Sequence, residues 1–412
     1  MTATTDDPVD LLSPELMADP YAGFARMREQ APLLTGSMMG GPPLWLVTRY
    51  DDVRTVLTDP RFLNDPASVP GGTDVREAMM ATLGIDGDMA RYFADNILNS
   101  DGADHTRLRK LVSRAFTVRR VSALRPRVEE ITARLLDRLA EAGASGAAVD
   151  LVETFCYPLP ITVICELVGI DEADRPQWHG WGRVLAAMDA ERIPATVRAL
   201  VDHVLDVIAR RRAEPRDDLI TAMIQVHEDD GDRLSEREMV TLILTLVIAG
   251  HETTAHLLGN SVLALVAHPD QLAVLAADPD LWPQAVNELM RIRGPVQFGQ
   301  TRYPSEDVEL GGETIPAGSP VTPLILSANT DPREFADPST LDVTRETGRG
   351  EGHLGFGQGV HYCLGAALAR QEAEVALRAL FERFPTLTVA GDVAWAPRPG
   401  FSRVAELPVR VC

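Results

Sequence analysis

The sequence predicts a mainly α-helical protein with a smaller β-rich lobe, folded as a single domain over residues 1–412. Three observations carry this expectation. Helical patterning dominates, with long segments at residues 128–141, 152–168, 196–213, 238–268 and 364–384. Strand-like runs are concentrated at about 40–50 and 295–327. No long Gly/Ser/Pro-rich linker and no internal repeat divides the 412 residues, and 45% of them are hydrophobic, enough for one large core.

Composition narrows the function classes. A net charge of −21 opposes nucleic-acid binding and adsorption to anionic membranes, which both need surplus positive charge. Residues 1–10 are polar and acidic, unlike a secretory signal. The strongest apolar run, residues 239–250, is shorter than the ~18 residues of a membrane span. The four cysteines, at 156, 165, 363 and 412, show no CxxC spacing, so no disulfide framework is expected. A soluble, cytoplasmic protein follows as the expectation. Charge is also uneven: residues 105–128 hold eight basic side chains (Arg107, Arg109, Lys110, Arg114, Arg119, Arg120, Arg125 and Arg127) and no acidic one. That stretch reads either as a solvated helix face or as a docking patch for an acidic partner.

In chain order, residues 20–28 form an amphipathic helix with Phe24, Met27 and Ala31 at helical spacing. Residues 44–48 are β-prone, and residues 50–57 return to helix until Asp59-Pro60 ends it. Residues 64–100 mix Pro, Gly, Asp and Met without firm periodicity and read as a long, partly helical loop. His105 and Arg109, one turn apart on the basic helix, present two donors to one anionic partner. Residues 154–160 make a kinked helix entry. Residues 171–194, with Trp178, Gly180, Trp181, Gly182 and Met188, read either as a mobile lid over an apolar pocket or as ordinary packing. Residues 232–236 supply a turn and N-cap for the apolar helix 238–268. Gly250 in the middle of that helix costs about 1 kcal/mol, and something must compensate for it. Glu288 and Arg291, three apart, can form an ion pair, and residues 308–312 and 320–327 read as hairpin strands.

The most informative stretch is Phe356-Gly357-Gln358-Gly359-Val360-His361-Tyr362-Cys363-Leu364-Gly365. It sets one cysteine after a glycine-rich bend and directly before a helix. Unsatisfied N–H groups and the helix dipole there favour thiolate over thiol. One thiolate cannot build a zinc or iron–sulfur site, which takes about four protein ligands, but it suffices as the axial ligand of a haem. Gly357 and Gly359 allow dihedrals barred to other residues, and Phe356 can cover the sulfur.

Phe-Gly-x-Gly-x-His-x-Cys-x-Gly resembles the haem-binding signature of the cytochrome P450 superfamily at every fixed position. Ala249-Gly250-His251-Glu252-Thr253-Thr254 resembles its distal-helix motif, Glu288-Leu289-Met290-Arg291 its Glu-x-x-Arg, and residues 329–345 the meander that follows. The resemblance covers essentially the whole chain and implies a triangular helical prism. It also implies a soluble, actinobacterial-type haem-thiolate monooxygenase with heme b (iron protoporphyrin IX) on Cys363. In the family's pattern His105, Arg109, Arg302 and His361 meet the propionates, while Ala249, Gly250, Phe356, Gly357 and Gly365 lie against the ring. The distal helix widens locally to admit dioxygen, with Glu252 and Thr253 relaying protons to it. Glu288 and Arg291 lock the fold, with Arg345 available as the third member. Thr330 departs from the pattern, since an arginine is usual there.

The product implied is a hydroxylated or epoxidised hydrophobic molecule such as a macrolide or other polyketide, a terpenoid or a steroid-like compound. The pocket would be lined by the 64–100 loop, the 183–194 lid, Thr245, Ile248, Ala249, Val296, Phe298 and Phe401, with His251 either packed or reaching a polar substituent. With 412 residues used up by the haem domain, electrons are expected from a separate ferredoxin and its NAD(P)H-dependent ferredoxin reductase, docking near Arg114, Arg119 and Arg120 of a monomer. Two other classes stay open: a haem-thiolate peroxygenase or isomerase, and a haem protein that only binds a ligand.

Overall fold

The structure of the chain is a computed structural model, which describes residues 8–38, 41–72, 74, 80–81, 83–85, 87–187, 189–229, 234–347, 350–396 and 400–411. Its principal helices are α1 (Pro20–Gln30), α2 (Tyr50–Thr58), α3 (Gly102–Ser113), α4 (Val118–Gly143), α5 (Pro158–Val168), α6 (Arg175–Ala187), α7 (Ile193–Ala213), α8 (Leu219–Asp229), α9 (Glu236–Ala267), α10 (Trp282–Arg293) and α11 (Ala366–Arg383). The strands are β1 (Val9–Asp10), β2 (Leu33–Ser37), β3 (Leu44–Val47), β4 (Val308–Leu310), β5 (Glu313–Ile315) and β6 (Val321–Pro323), with shorter pairs elsewhere.

The fold is organised on α9. Ser235 starts it with a capping box: its Oγ accepts from the Glu238 N–H at 3.2 Å, and Glu238 Oε2 accepts from the Ser235 N–H at 2.7 Å. The N-terminal half buries Met239, Leu242, Ile243 and Val247 in a core shared with α7 and α8. The C-terminal half buries Leu257, Leu258, Val262 and Leu265 in a second core with α4, α10 and α11. Helix α5 runs beside α9 and contributes to both. Residues 248–254, the polar motif, therefore sit where one core hands over to the other. Contrary to the estimate from continuous apolar residues, α9 is long and apolar enough to cross a membrane, but 72% of its most apolar window is buried inside the protein.

Four elements differ from expectation. Helix α4 begins ten residues early, at Val118, and runs through Pro126, because Val121, Val128, Ile131 and Leu135 form one buried face that outweighs a single lost backbone bond. Residues 175–187, read as a lid or as ordinary packing without a helix assigned, form helix α6, anchored by the buried Trp178 against Trp181 and His203. Helix α8 was not anticipated. Residues 320–327 split into β6 and a short helix, Ile325–Asn329. Strand β6 pairs in parallel with β3, Trp45 opposite Val321, in a sheet of order β1-β2-β3-β6. The hairpin is instead β4 with β5, turned by Gly311 and Gly312 at φ 58° and 88°, which only glycine adopts freely.

The segment after α10 is tied by buried charge. Arg291 grips Glu288 with two bonds of 2.7 Å, both side chains 1% exposed, and Arg345 Nε reaches both Glu288 oxygens at 3.1 Å. At Thr330, where the resemblance leaves a cation missing, a buried arginine arrives from the other end of the chain. Arg28 Nη1 donates to Ser327 O at 2.7 Å and Thr330 Oγ1 at 3.2 Å, and its Nε lies 3.8 Å from Asp331.

Candidate active site

The loop around Cys363 is made by backbone geometry. Gly357 and Gly359 have φ of 69° and 77°. A Cβ at Gly359 would also stand 2.6 Å from the Leu57 carbonyl oxygen of α2, so glycine is required there twice over. The bend closes when the Cys363 N–H donates to Phe356 O at 2.9 Å. Burial pushes the Cys363 thiol up, opposed by backbone N–H groups of Gly365 and Ala366 and by the Arg109 charge. The N–H groups at the helix start thus act toward thiolate as expected, while burial of the haem-free sulfur acts against them. Cys363 is accessible to solvent in the haem-free chain although protein atoms surround it closely. Cys156 and Cys165 are buried among apolar side chains.

Beside it lies a cluster of donors. His105 and His361 lie with ring centroids 4.0 Å apart and planes tilted by 38°, and Arg109 Nη2 donates to Tyr362 O at 2.5 Å. Arg302 is 4% exposed, and burial pushes it down to about 10. Burial, then the charges of His361 and Arg109, push His105 down to about 4. One carboxylate answers them: burial would raise Asp101, but bonds from His361, Asn64 and the Asp65 and Asn64 backbone hold it at about 2. His105 Nε2 and Arg302 Nε are buried without a hydrogen-bond partner. Four basic side chains against one acid, with two donor nitrogens unanswered, suit an anionic group bearing two carboxylates.

Along α9, one stripe remains open: Ala249 is exposed and Thr245, Ile248, Gly250 and Thr253 are partly so, in a helix otherwise mostly buried. Ile248 packs against the same cluster as Leu364, the neighbour of Cys363, so the stripe and the sulfur belong to one region. The helix is regular α from end to end, so the expected widening is absent, and Thr253 Oγ1 instead donates to Ala249 O at 2.7 Å. Glu252 turns away from the stripe, and Tyr157 Oη donates to its Oε1 at 3.4 Å. Gly250 faces Ile164, whose Cγ1 would lie 2.9 Å from a Cβ, so close packing of α5 offsets the glycine. His251 is buried, 1% exposed, and faces Gly182 of α6. That makes it a packed histidine on the lid side.

Val296 and Phe401 are joined by an antiparallel bridge and Phe298 lies against Gly400, all three half-buried. This trio is tied to α9 two turns past Thr253, where Asn260 donates to Ser402 O at 3.1 Å. Of the expected pocket segments, residues 73, 75–79, 82, 86 and 188 lie outside the described residues. Sequence reasoning missed Tyr157, whose link to Glu252 spans 95 positions and has no local signature. Arg370 and Glu351, packed around Tyr362, were missed for the same reason.

The family profile described as Cytochrome P450 matches residues 184–278 and 279–404. Two relatives extend the match along the chain. The 6-deoxyerythronolide B hydroxylase of Saccharopolyspora erythraea is 45% identical, covering 98% of both chains. Cytochrome P450 monooxygenase PikC of Streptomyces venezuelae is 41% identical over 97% of this chain and 92% of that one. This chain belongs to the cytochrome P450 family. Among solved structures, the tirandamycin C-bound P450 monooxygenase TamI superposes on 98% of this P450 with a TM-score of 0.88 and 38% identity, covering 100% of its own chain. The chain is a P450 monooxygenase of secondary metabolism, with a cysteine-thiolate-ligated heme b. The donor cluster, the accessible Cys363 and the open stripe fit that group.

Proposed function

We propose that this P450 inserts one oxygen atom of dioxygen into a polyketide, macrolide or comparable hydrophobic product, by hydroxylation or epoxidation. The observation that carries it is the pairing of an accessible cysteine, Cys363, with the open Thr245–Thr253 stripe of a buried helix, joined through Leu364 and Ile248 in one cluster. Bound heme b supplies the activation of dioxygen. Cys363 holds it as thiolate, and His105, Arg109, Arg302 and His361 hold its carboxylates. Ala249, Gly250, Phe356, Gly357 and Gly365 border it. Catalysis then falls to Thr253, which holds and passes a proton at its hydroxyl, and to Glu252, which joins that relay only after turning from Tyr157. The Thr253 hydroxyl must first release Ala249 O, at a cost of about 1 kcal/mol. Thr245, Ile248, Val296, Phe298 and Phe401 offer mostly apolar contacts to substrate, in keeping with the names of the relatives above.

Electrons come from a ferredoxin served by an NAD(P)H-dependent reductase. Of the eight basic side chains in residues 105–128, Arg107, Arg125 and Arg127 are ion-paired to Glu238, Glu374 and Glu166. Lys110, Arg114, Arg119 and Arg120 are exposed and make no ion pair among the described residues. Val118 (77% exposed) adjoins Arg119 and Arg120 in sequence, so they offer cations beside an apolar spot, the pattern a small acidic partner fits. On this reading the chain is a cytoplasmic monomer folded as one P450 domain; α9, apolar enough to cross a membrane, is mostly buried inside it.

The test is the spectrum of the dithionite-reduced protein with carbon monoxide. A band near ~450 nm that is lost in Cys363→Ala supports the reading; a band only near ~420 nm defeats it. Product formation with ferredoxin, reductase, NAD(P)H and O2, but not with peroxide alone, separates the monooxygenase from a peroxygenase.

A further inference from the structure

Tyr362, the residue immediately before Cys363, is held at three points. Its N–H donates to Gly359 O at 3.1 Å, its carbonyl accepts from Arg109 Nη2 at 2.5 Å, and its phenol donates to Glu351 Oε1 at 2.6 Å. The third hold is built from distant parts of the chain. Arg370, on the second turn of α11, pairs with Glu351 and donates through Nη1 to Tyr362 Oη at 3.3 Å. The same guanidinium stands 5.4 Å from the centroid of Phe356, the residue whose carbonyl receives the Cys363 N–H. One cation thus braces both ends of the loop: Phe356 at its start through the ring face, Tyr362 at its end through the phenol.

Among the described residues the hydrogen-bond partners of Cys363 are local backbone groups, the Phe356 carbonyl and the Gly365 and Ala366 N–H groups. Its backbone direction is therefore set by what fixes residue 362. The two glycines that permit the bend also leave it soft, so a side-chain brace is needed to keep the sulfur aimed.

We propose that Tyr362, with Glu351 and Arg370, is a positioning clamp that keeps the Cys363 sulfur bound to the haem iron as thiolate rather than detaching or protonating. This rests on Cys363 being the axial ligand.

The experiment uses the haem-loaded full chain, reduced under carbon monoxide. It follows conversion of the ~450 nm band to the ~420 nm band at fixed temperature in wild type, Tyr362→Phe, Glu351→Ala and Glu351→Gln. Separately, it records thermal unfolding midpoints by circular dichroism. Loss of one hydrogen bond to a charged group predicts about tenfold faster conversion in Tyr362→Phe and Glu351→Ala. Glu351→Gln keeps the acceptor but loses the charge and the pair with Arg370, and converts at a rate between wild type and Glu351→Ala. The double variant Tyr362→Phe/Glu351→Ala is no faster than either single one. Unfolding midpoints stay within about 2 °C of wild type.

Conversion of Tyr362→Phe at the wild-type rate overturns the clamp. So does faster conversion matched by an equal loss of unfolding midpoint, since that means general loosening. A wild type without a ~450 nm band overturns the ligand reading and the clamp together, whereas a wild-type band with an indifferent Tyr362→Phe overturns the clamp alone.

Discussion

Around Cys363 the chain turns at two glycines with positive φ, and backbone bonds at Gly357, Tyr362 and Cys363, with side chains from α3 and α11, hold the bend. The middle of α9, also proposed to border the haem, has no unusual backbone at all. It is a regular helix whose motif residues fan out: Thr253 toward the open stripe, Glu252 toward Tyr157, Gly250 toward Ile164, His251 toward Gly182. The first region holds one atom still. The second distributes jobs among faces of a rod that two cores already fix, so its side chains can change without moving the backbone. Substitutions should therefore break the first region through structure and the second through chemistry.

The largest effect expected is for Gly359→Ala. A positive φ and a Cβ 2.6 Å from a backbone oxygen should cost on the order of 3 kcal/mol or more. The ~450 nm band should shrink along with the urea midpoint. Wild-type stability would show that α2 yields there.

Glu372, fully buried on α11 behind the loop, has an Oε2 without a hydrogen-bond partner, and burial pushes its acid up to about 8. Its folded value lies above its ordinary 4.5, so the unfolded chain loses the proton first, and stability declines as pH rises from 4.5 toward 8. Glu372→Gln should be nearly neutral at the low end of that window. By pH 7 it should stabilise by roughly 2–3 kcal/mol, read from urea midpoints at both pH values. A benefit independent of pH would mean the acid is ionised in the fold.

In α9 the expected effects are smaller and differ in kind. Gly250→Ala crowds Ile164 and should cost about 1–2 kcal/mol of stability while keeping the ~450 nm band. Thr253→Ala should leave unfolding within about 0.5 kcal/mol but lower product per NAD(P)H by about tenfold, with peroxide released instead. Unchanged coupling would remove Thr253 from proton delivery. On the outer face, Arg119→Glu with Arg120→Glu should weaken ferredoxin binding by about tenfold at low salt, with the gap closing as salt rises.

What the sequence revealed follows from the same contrast. The bend at Phe356–Gly365 is legible because its chemistry is local: glycines, a cysteine and a helix start within ten residues. Helix α9 is legible through its apolar length and its Ser235–Glu238 cap. Pattern could not show which way each motif residue turns, because that is decided by α5 and α6 packing on either side. Nor could it show that Arg370 and Glu351 meet at Tyr362 across a turn, or that α6 is helix despite two glycines, since the buried Trp178 pins it. The β6 pairing was misread for a related reason. A parallel partner nearly 280 positions away leaves no trace beside the strand.

Arg28 has its own timetable. It leaves the ribosome about 300 residues before the Ser327–Asp331 segment that receives it, a delay of roughly 15–60 s at ordinary synthesis rates. Through that interval helix α1 carries a guanidinium with no site to enter, so it must remain wet and undocked while later helices assemble. The beginning of the chain is thus among the last parts to settle, and a nascent chain stalled before residue 331 should still expose residues 20–30 to protease.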